Sequence, residues 1–136
     1  YHVGDFLAAA DCFLLPSDFE GHPLALMEAM IAGVPCVYTN MDVMRELHDT
    51  YGPMGQMVPK GAKTWELAEA VANHQSDEAM AYRANARNVV WNNFNISTIV
   101  EQWEHYITDC LFDFYKKRKF SLIYPAQTRK PLEYPQ

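Results

Sequence analysis

Two carboxylates, Glu20 and Glu28, stand eight positions apart on either side of a predicted helix start in this chain of 136 residues. Glu20 follows the apolar run 12–16, which is typical of a buried parallel strand ended by a proline. Open α/β sheets bind ligands beyond the carboxyl ends of their strands, so we expect Glu20 to border such a crevice. A carboxylate at this place is suited to accept hydrogen bonds from the vicinal hydroxyl groups of a sugar.

The residues between the two carboxylates favour an anionic group. Gly21 lets a ligand approach the backbone closely, and Pro23 suits the first position of a helix that ends near Gly33. The N–H groups at that helix start and the positive end of the helix dipole favour a phosphate or a partly negative sugar oxygen. Glu28 lies five residues beyond Pro23, or about 7–8 Å along the axis, and its side chain leans back towards the helix start. A ligand that offers both hydroxyl groups and phosphate is a nucleotide sugar.

A strand–helix–strand unit is needed to hold these residues together. Cys12–Pro16 is the first predicted strand, Leu24–Ala32 is the helix, and Val34–Thr39 is the second strand. Strands joined through a helix pair in parallel, with a right-handed crossover. The sequence therefore predicts an α/β fold with a parallel sheet.

Three further helices are predicted after a polar stretch at 40–52 and a weak strand at 54–58. They begin at Thr64, near residue 78 and after Ser97, the last with Thr98 and Glu101 as a capping box. Trp91 and Trp103 fall on helical spacings and are expected in the core. The three cysteines are expected to be buried, reduced thiols of a cytosolic protein, because they are far apart and form no metal-ligand spacing.

Charge divides the chain into an acidic body and a basic tail. Residues 1–115 carry 5 basic and 16 acidic side chains, and residues 116–136 carry 6 basic and 1 acidic. An acidic body is unsuited to binding nucleic acid, which needs clustered Lys and Arg. The sequence predicts a domain at 1–115 and an extended, proline-containing tail at 116–136. The basic run 116–119 is either a solvated helix end or a contact with anionic lipid or an acidic neighbouring domain.

The segment 16–37 resembles the E-x₇-E signature of glycosyltransferase family 4, whose members have the GT-B architecture of two Rossmann-like domains. Weaker similarity continues past Glu46 to Phe94, so the resemblance covers about the first 110 residues. The matching residues are Ala10-Asp11, Pro16-Ser17, Glu20-Gly21, Glu28-Ala29-Met30, Gly33, Pro35 and Val37.

The resemblance implies that the chain is the latter part of the C-terminal, donor-binding domain, with a Rossmann-like three-layer parallel sheet. Glu20 would be the catalytic residue and meet hydroxyl groups of the donor sugar, and Glu28 would meet the ribose hydroxyl groups. The family transfers a sugar from a nucleotide-diphosphate sugar, with retention, to a glycan, lipid or protein acceptor. No metal and no separate cofactor is implied. The implied donor-binding residues are Glu20, Gly21, His22, Pro23, Leu24 and Glu28.

The chain departs from the family in one loop, where Asp42 and Val43 replace the usual glycines. The family's Arg/Lys pair for the diphosphate, its base-binding loop and its N-terminal domain would all precede Tyr1. We therefore expect a piece of a longer protein, with the missing N-terminal Rossmann-like domain as the partner of the tail. Two other functions stay open: a nucleotide-sugar epimerase of the same fold, and a non-catalytic domain that binds nucleotide or acts as a scaffold. The expected location is the cytoplasm, with the membrane surface as a second site of attachment.

Overall fold

The computed structural model describes residues 2–117. The chain divides into two compact units, Tyr1–Thr98 and Ile99–Gln136. The elements follow in the order α1 (Val3–Ala8), β1 (Phe13–Leu15), α2 (Leu24–Ala32), β2 (Cys36–Thr39), α3 (Asp42–Tyr51), β3 (Gln56–Val58), α4 (Thr64–Ala72), α5 (Asp77–Asn93) and α6 (Ile96–Lys117).

The sheet of the first unit has three parallel strands in the order β1-β2-β3. Phe13 of β1 pairs with Cys36 of β2, and Val37 of β2 pairs with Gln56 of β3. A helix connects each pair of strands, because α2 lies between β1 and β2 in the chain and α3 lies between β2 and β3. The predicted α/β fold with a parallel sheet is therefore confirmed. Its extension to a three-layer Rossmann-like domain stays a prediction.

Helix α2 begins and ends at the residues that the sequence indicates. Pro23 is the N-cap residue of α2, whereas the sequence predicts it at the first helical position. Gly33 ends the helix in the left-handed region, with a φ of 76°. A residue with a side chain is strained there, so glycine is the favoured terminator. Leu26, Ala29 and Met30 are buried, and α2 packs against α5.

The core is centred on β2, in which all four residues are buried. Tyr38 is fully buried, and Gly55, the residue before β3, lies against it. A Cβ atom on Gly55 would lie 2.6 Å from Cε1 of Tyr38 and 2.7 Å from the carbonyl oxygen of Cys36. Only glycine fits between these groups without displacing one of them.

Helix α3 corrects the prediction of a polar stretch at 40–52. Met44 is fully buried, and Leu47 and Tyr51 pack against the core, so the spacings of three and four define an apolar face. The charged residues between these positions hide that face when only composition is considered.

Three further expectations are wrong in detail. Helix α6 begins two residues earlier than predicted, because Asn95 rather than Thr98 caps it and Asn95 Oδ1 accepts from the Thr98 N–H at 3.0 Å. Trp91 and Trp103 are not core residues: 64% and 59% of their surfaces are exposed. In α5 the buried stripe consists of alanine and valine, and Trp91 lies outside it. Of the three cysteines expected to be buried, Cys36 is buried, Cys12 is half-buried and Cys110 is exposed.

The second unit is described only through helix α6. Its apolar residues recur at spacings of three and four, as predicted for an amphipathic helix. Val100, Trp103, Ile107 and Phe114 on this face are exposed, whereas Ile99 is half-buried. Within residues 2–117, every helix is too short or too polar to cross a bilayer. The predicted tail lies outside the described residues from position 118 onwards.

Candidate functional site

The loop between β1 and α2 carries most of the predicted site residues. Glu20 is half-buried in this loop, Gly21 and His22 are exposed, and Pro23 is buried. The Thr39 hydroxyl donates to the carbonyl oxygen of Ser17, which ties the loop to the end of β2. The loop therefore stands at the carboxyl edge of the sheet, where ligands of α/β proteins bind.

Two backbone N–H groups at the start of α2 have no acceptor among the described residues. The Leu24 N–H donates to the carbonyl oxygen of His22 at 2.9 Å, and the Met27 N–H donates to that of Pro23 at 3.1 Å. The N–H groups of Ala25 and Leu26 lie between them, and Pro23 offers no capping side chain. Free N–H groups at a helix start are suited to an anion.

Gly21 borders open space. A Cβ atom at this position would meet nothing within 4 Å, and the backbone does not require glycine there. The sterics of the folded chain therefore do not explain the glycine. Room for a close ligand remains the reason that the sequence suggests.

Glu28 lies on the exposed side of α2 and lines an open cleft of about 420 Å³. Leu24 and Phe94 line the same cleft, which is largely apolar. Glu20 does not line it. The cleft thus brings together Glu28 and Leu24 of the predicted set, while Glu20, Gly21 and His22 lie in the loop before α2.

Phe94 is a residue of this region that the sequence did not single out for a role in the site. Its ring centroid lies 5.7 Å from that of His22 and 6.2 Å from that of Tyr51. The only hint in the sequence was that the weak family resemblance extends to Phe94. No local pattern connects it with a loop that precedes it by more than 70 residues.

The loop that departs from the family pattern forms the start of α3. Asp42 lies in the first turn, where its carboxylate is 2.8 Å from Arg45 and 3.9 Å from Lys60. Arg45 Nε also donates to Asn40 Oδ1 at 3.2 Å. The carboxylate of Asp42 is therefore paired at the surface, and Glu46 on the same helix is exposed.

Tyr38 of β2 and His48 of α3 form a partly buried pair. The hydroxyl group of Tyr38 is hydrogen-bonded to His48 Nε2, and this nitrogen also accepts the Met54 N–H at 3.2 Å. Burial lowers the pKa of His48, although Asp49 acts in the opposite direction, and burial raises the pKa of Tyr38. Burial likewise raises the pKa of Cys36 to about 12, so its thiol stays protonated.

Residues 2–117 contain no group of three His, Cys, Asp or Glu side chains that could hold a metal ion. The chemistry available to the described site consists of carboxylate acceptors and backbone N–H donors. This combination matches hydroxyl groups and phosphate oxygens.

Comparison with known proteins gives one family and several relatives. The model of the family Glycosyl transferases group 1 matches residues 1–77. N-acetyl-alpha-D-glucosaminyl L-malate synthase of Bacillus anthracis is 32% identical over 113 residues, which are 82% of this chain and 29% of that protein. The putative colanic acid biosynthesis glycosyltransferase WcaL of Salmonella typhimurium is 38% identical over 112 residues, which are 75% of this chain and 27% of that protein.

A further relative matches a shorter part of the chain at higher identity. UDP-Gal:alpha-D-GlcNAc-diphosphoundecaprenol alpha-1,3-galactosyltransferase of Escherichia coli is 45% identical over 40 residues, which are 29% of this chain and 10% of that protein. The chain thus spans less than a third of the length of each of these three relatives.

Proposed function

Because the chain belongs to the glycosyl transferases group 1 family, we propose that it supplies part of the donor site of a retaining glycosyltransferase of GT-B architecture. The donor is a nucleotide-diphosphate sugar, and the acceptor is a glycan or a lipid-linked sugar. The acceptor class is suggested by relatives named for colanic acid biosynthesis and for transfer to a diphosphoundecaprenol-linked sugar. The remainder of the enzyme would supply the acceptor site and the cations that hold the diphosphate.

One observation carries this proposal: two carboxylates flank a helix start that has unpaired N–H groups. Glu28 accepts hydrogen bonds from the ribose hydroxyl groups of the nucleotide. The N–H groups of Ala25 and Leu26 face the diphosphate, which gains negative charge as the bond to the sugar breaks. Fixed N–H dipoles stabilise that charge without having to reorganise at the moment of reaction.

Glu20 acts on the sugar. Its half-buried carboxylate accepts hydrogen bonds from the sugar hydroxyl groups and holds the reacting carbon relative to the leaving diphosphate. Its negative charge also favours the positive charge that develops on the sugar ring. We therefore assign Glu20 as the catalytic residue and Glu28 as a nucleotide-binding residue.

The proposal predicts different kinetic effects for the two carboxylates in the full-length protein. Glu28→Gln should weaken nucleotide binding, and Glu20→Gln should chiefly lower kcat, because their partners belong to different parts of the donor. A hydrogen bond to a charged group contributes about 1.5–3 kcal/mol, so each loss should be about tenfold to a hundredfold. Calorimetry with UDP and GDP, combined with steady-state transfer assays over a panel of nucleotide sugars, measures both effects.

Glu69→Gln is the matched control, since Glu69 is an exposed carboxylate on α4 and should leave binding and turnover unchanged. Unaltered kinetics for both Glu20→Gln and Glu28→Gln in a folded protein would remove the assignment. Conversion of the donor sugar into its epimer would favour the epimerase instead. Nucleotide binding without any turnover would favour the non-catalytic domain.

A further inference from the structure

Three side chains form a continuous series of ring contacts, which we call the ring ladder: His22, Phe94 and Tyr51. The rings of His22 and Phe94 are tilted by 39°, with centroids 5.7 Å apart. The rings of Phe94 and Tyr51 meet edge to face at 77°, with centroids 6.2 Å apart. Both separations lie within the range in which aromatic rings attract one another. Phe94 thus joins the loop between β1 and α2 to the end of α3.

The inner part of the ring ladder is fixed to the core. Phe94 ends α5, where its N–H donates to the carbonyl oxygen of Val90 at 2.9 Å, and its half-buried ring packs against the hydrophobic core. Tyr51 also packs against that core. Its carbonyl oxygen and that of Pro53 accept hydrogen bonds of 3.0 and 2.9 Å from the side chain of Asn85 on α5. Helix α5 therefore holds two members of the ladder at fixed positions.

The outer member, His22, lies in an exposed part of the chain. It precedes α2 in the β1–α2 loop, and its carbonyl oxygen accepts the Leu24 N–H at 2.9 Å. Backbone bonds of this kind shape the loop locally but do not attach it to another element. The bond from Thr39 to Ser17 ties the beginning of the loop to β2. The contact between the imidazole ring and Phe94 attaches its other end to the end of α5, across more than 70 positions of sequence.

Phe94 also touches the other side of the proposed donor site. Its side chain lines the cleft that contains Leu24 and Glu28. One ring thus borders both the loop before α2 and the exposed side of α2 itself. A shift of this ring would change the position of His22 relative to Glu28.

We propose that Phe94 is a positioning residue for donor binding, acting through the ring of His22 to hold the β1–α2 loop against α2. This inference rests on the proposed function, because it assigns the loop and Glu28 to one nucleotide-sugar donor. Phe94 itself does not touch the reacting atoms. Its effect on binding passes through His22, whose backbone leads into the N–H groups at the start of α2.

The test compares three substitutions in the full-length protein. Phe94→Leu keeps an apolar side chain but removes the ring, and Phe94→Tyr keeps the ring. Trp91→Leu is the matched control, because Trp91 is an aromatic residue one helical turn earlier that is 64% exposed and lies outside the ring ladder. The probes are UDP, GDP and ADP, titrated by calorimetry, and the ring signals of His22 in NMR spectra of histidine-labelled protein.

Phe94→Leu should shift the His22 ring signals and weaken binding of the recognised diphosphate about fivefold, within the range that one aromatic pair contributes. Phe94→Tyr should restore the affinity, and Trp91→Leu should alter neither measurement. In the His22→Ala background, Phe94→Leu should cause no further loss of affinity. A role confined to stability would instead give equal losses with and without His22. If Phe94→Leu does not fold, Phe94→Met serves as the second variant.

The outcomes separate this inference from the proposed function. If Glu28→Gln loses affinity while Phe94→Leu binds like the wild type, the positioning role is wrong and the donor site stands. Additive losses for His22→Ala and Phe94→Leu also overturn the positioning role. If the wild-type protein binds none of the three diphosphates, the proposed function fails and this inference fails with it.

Discussion

Glu20 and Glu28 are chemically alike but stand in different surroundings. Glu20 is half-buried in a loop at the carboxyl edge of the sheet, whereas Glu28 is exposed beside an apolar cleft. A half-buried carboxylate has fewer positions open to it, which suits a group that must stay close to a reacting sugar. An exposed carboxylate at a cleft suits a group that captures a nucleotide from solvent. These surroundings agree with the different roles proposed for the two carboxylates, and the kinetic comparison of the two substitutions tests those roles.

His48 lies outside the candidate site, and its protonation state affects the stability of the fold. Its Nε2 atom accepts the Met54 N–H and is also hydrogen-bonded to the Tyr38 hydroxyl group. Because the Met54 N–H can only donate, this nitrogen must carry a lone pair. A proton on Nε2 would oppose the Met54 N–H directly. Burial lowers the pKa of His48 for the same reason that it disfavours any charged form.

We therefore expect the free energy of unfolding to fall as the pH drops through about 6.5, the usual pKa of histidine in an unfolded chain. Between that pH and the lowered pKa of His48 in the folded chain, His48 binds a proton in the unfolded chain but not in the folded one. The slope due to this one group is at most about 1.4 kcal/mol per pH unit. Urea unfolding between pH 8 and pH 5, for the wild type and for His48→Gln, measures it. Glutamine offers an acceptor that does not titrate, so an identical pH dependence in the two proteins would contradict the assignment.

At the scale of elements, the chain just before β3 passes close to β2 at Gly55, a position where a side chain has no room. Gly55→Ala should lower the free energy of unfolding by about 1–3 kcal/mol, as overpacking of a core does. The new methyl group would meet the Tyr38 ring and a backbone carbonyl group of β2, and the latter cannot move without disturbing the sheet. Chemical denaturation of both proteins gives the difference.

Gly21→Ala is the matched control for that experiment, because a methyl group at position 21 meets nothing within 4 Å. Its free energy of unfolding should stay within about 0.5 kcal/mol of the wild type. Equal losses in the two alanine variants would show that the space around Gly55 does not decide the result.

The sequence predicts some elements more accurately than others, and each difference has a physical reason. Helix α2 is predicted almost to the residue, because Pro23 and Gly33 mark its two ends chemically. Helix α3 is missed although Met44, Leu47 and Tyr51 carry the helical spacing, because charged residues dominate the segment. The contact of Phe94 with His22 has no counterpart in any local pattern, since it depends on how α5 packs against α2. For the site, the sequence therefore predicts the chemical groups but not the residue that supports their loop.

On the scale of the whole molecule, the chain supplies only part of the proposed donor site. It spans less than a third of the length of each relative described above. The segment 16–28, which carries both carboxylates and the start of α2, contains no Lys or Arg. Arg45 and Lys60 are paired with Asp42 at the surface. A diphosphate leaving group requires more positive charge than this arrangement provides.

We therefore expect the isolated 136-residue chain to bind nucleoside diphosphate weakly and to show no appreciable sugar transfer. Calorimetry with UDP and GDP measures the binding, and release of diphosphate from a panel of nucleotide sugars measures the turnover. Rapid transfer by the purified chain, with contaminating enzymes excluded, would mean that the described residues already form a complete catalytic site.

The parallel order β1-β2-β3 has a consequence for how this unit acquires its structure during synthesis. Phe13 pairs with a residue 23 positions later, and Val37 with one 19 positions later, so neither pairing can begin as a hairpin that closes from its turn. The segment that connects two paired strands has to become compact before the strands can meet, and forming its helix does this. Contacts between residues far apart in sequence affect the folding rate more than the stability. Helices α2 and α3 are therefore expected to form before the strands join. The three strands described can all pair in a growing chain only after Val58 has emerged from the ribosome.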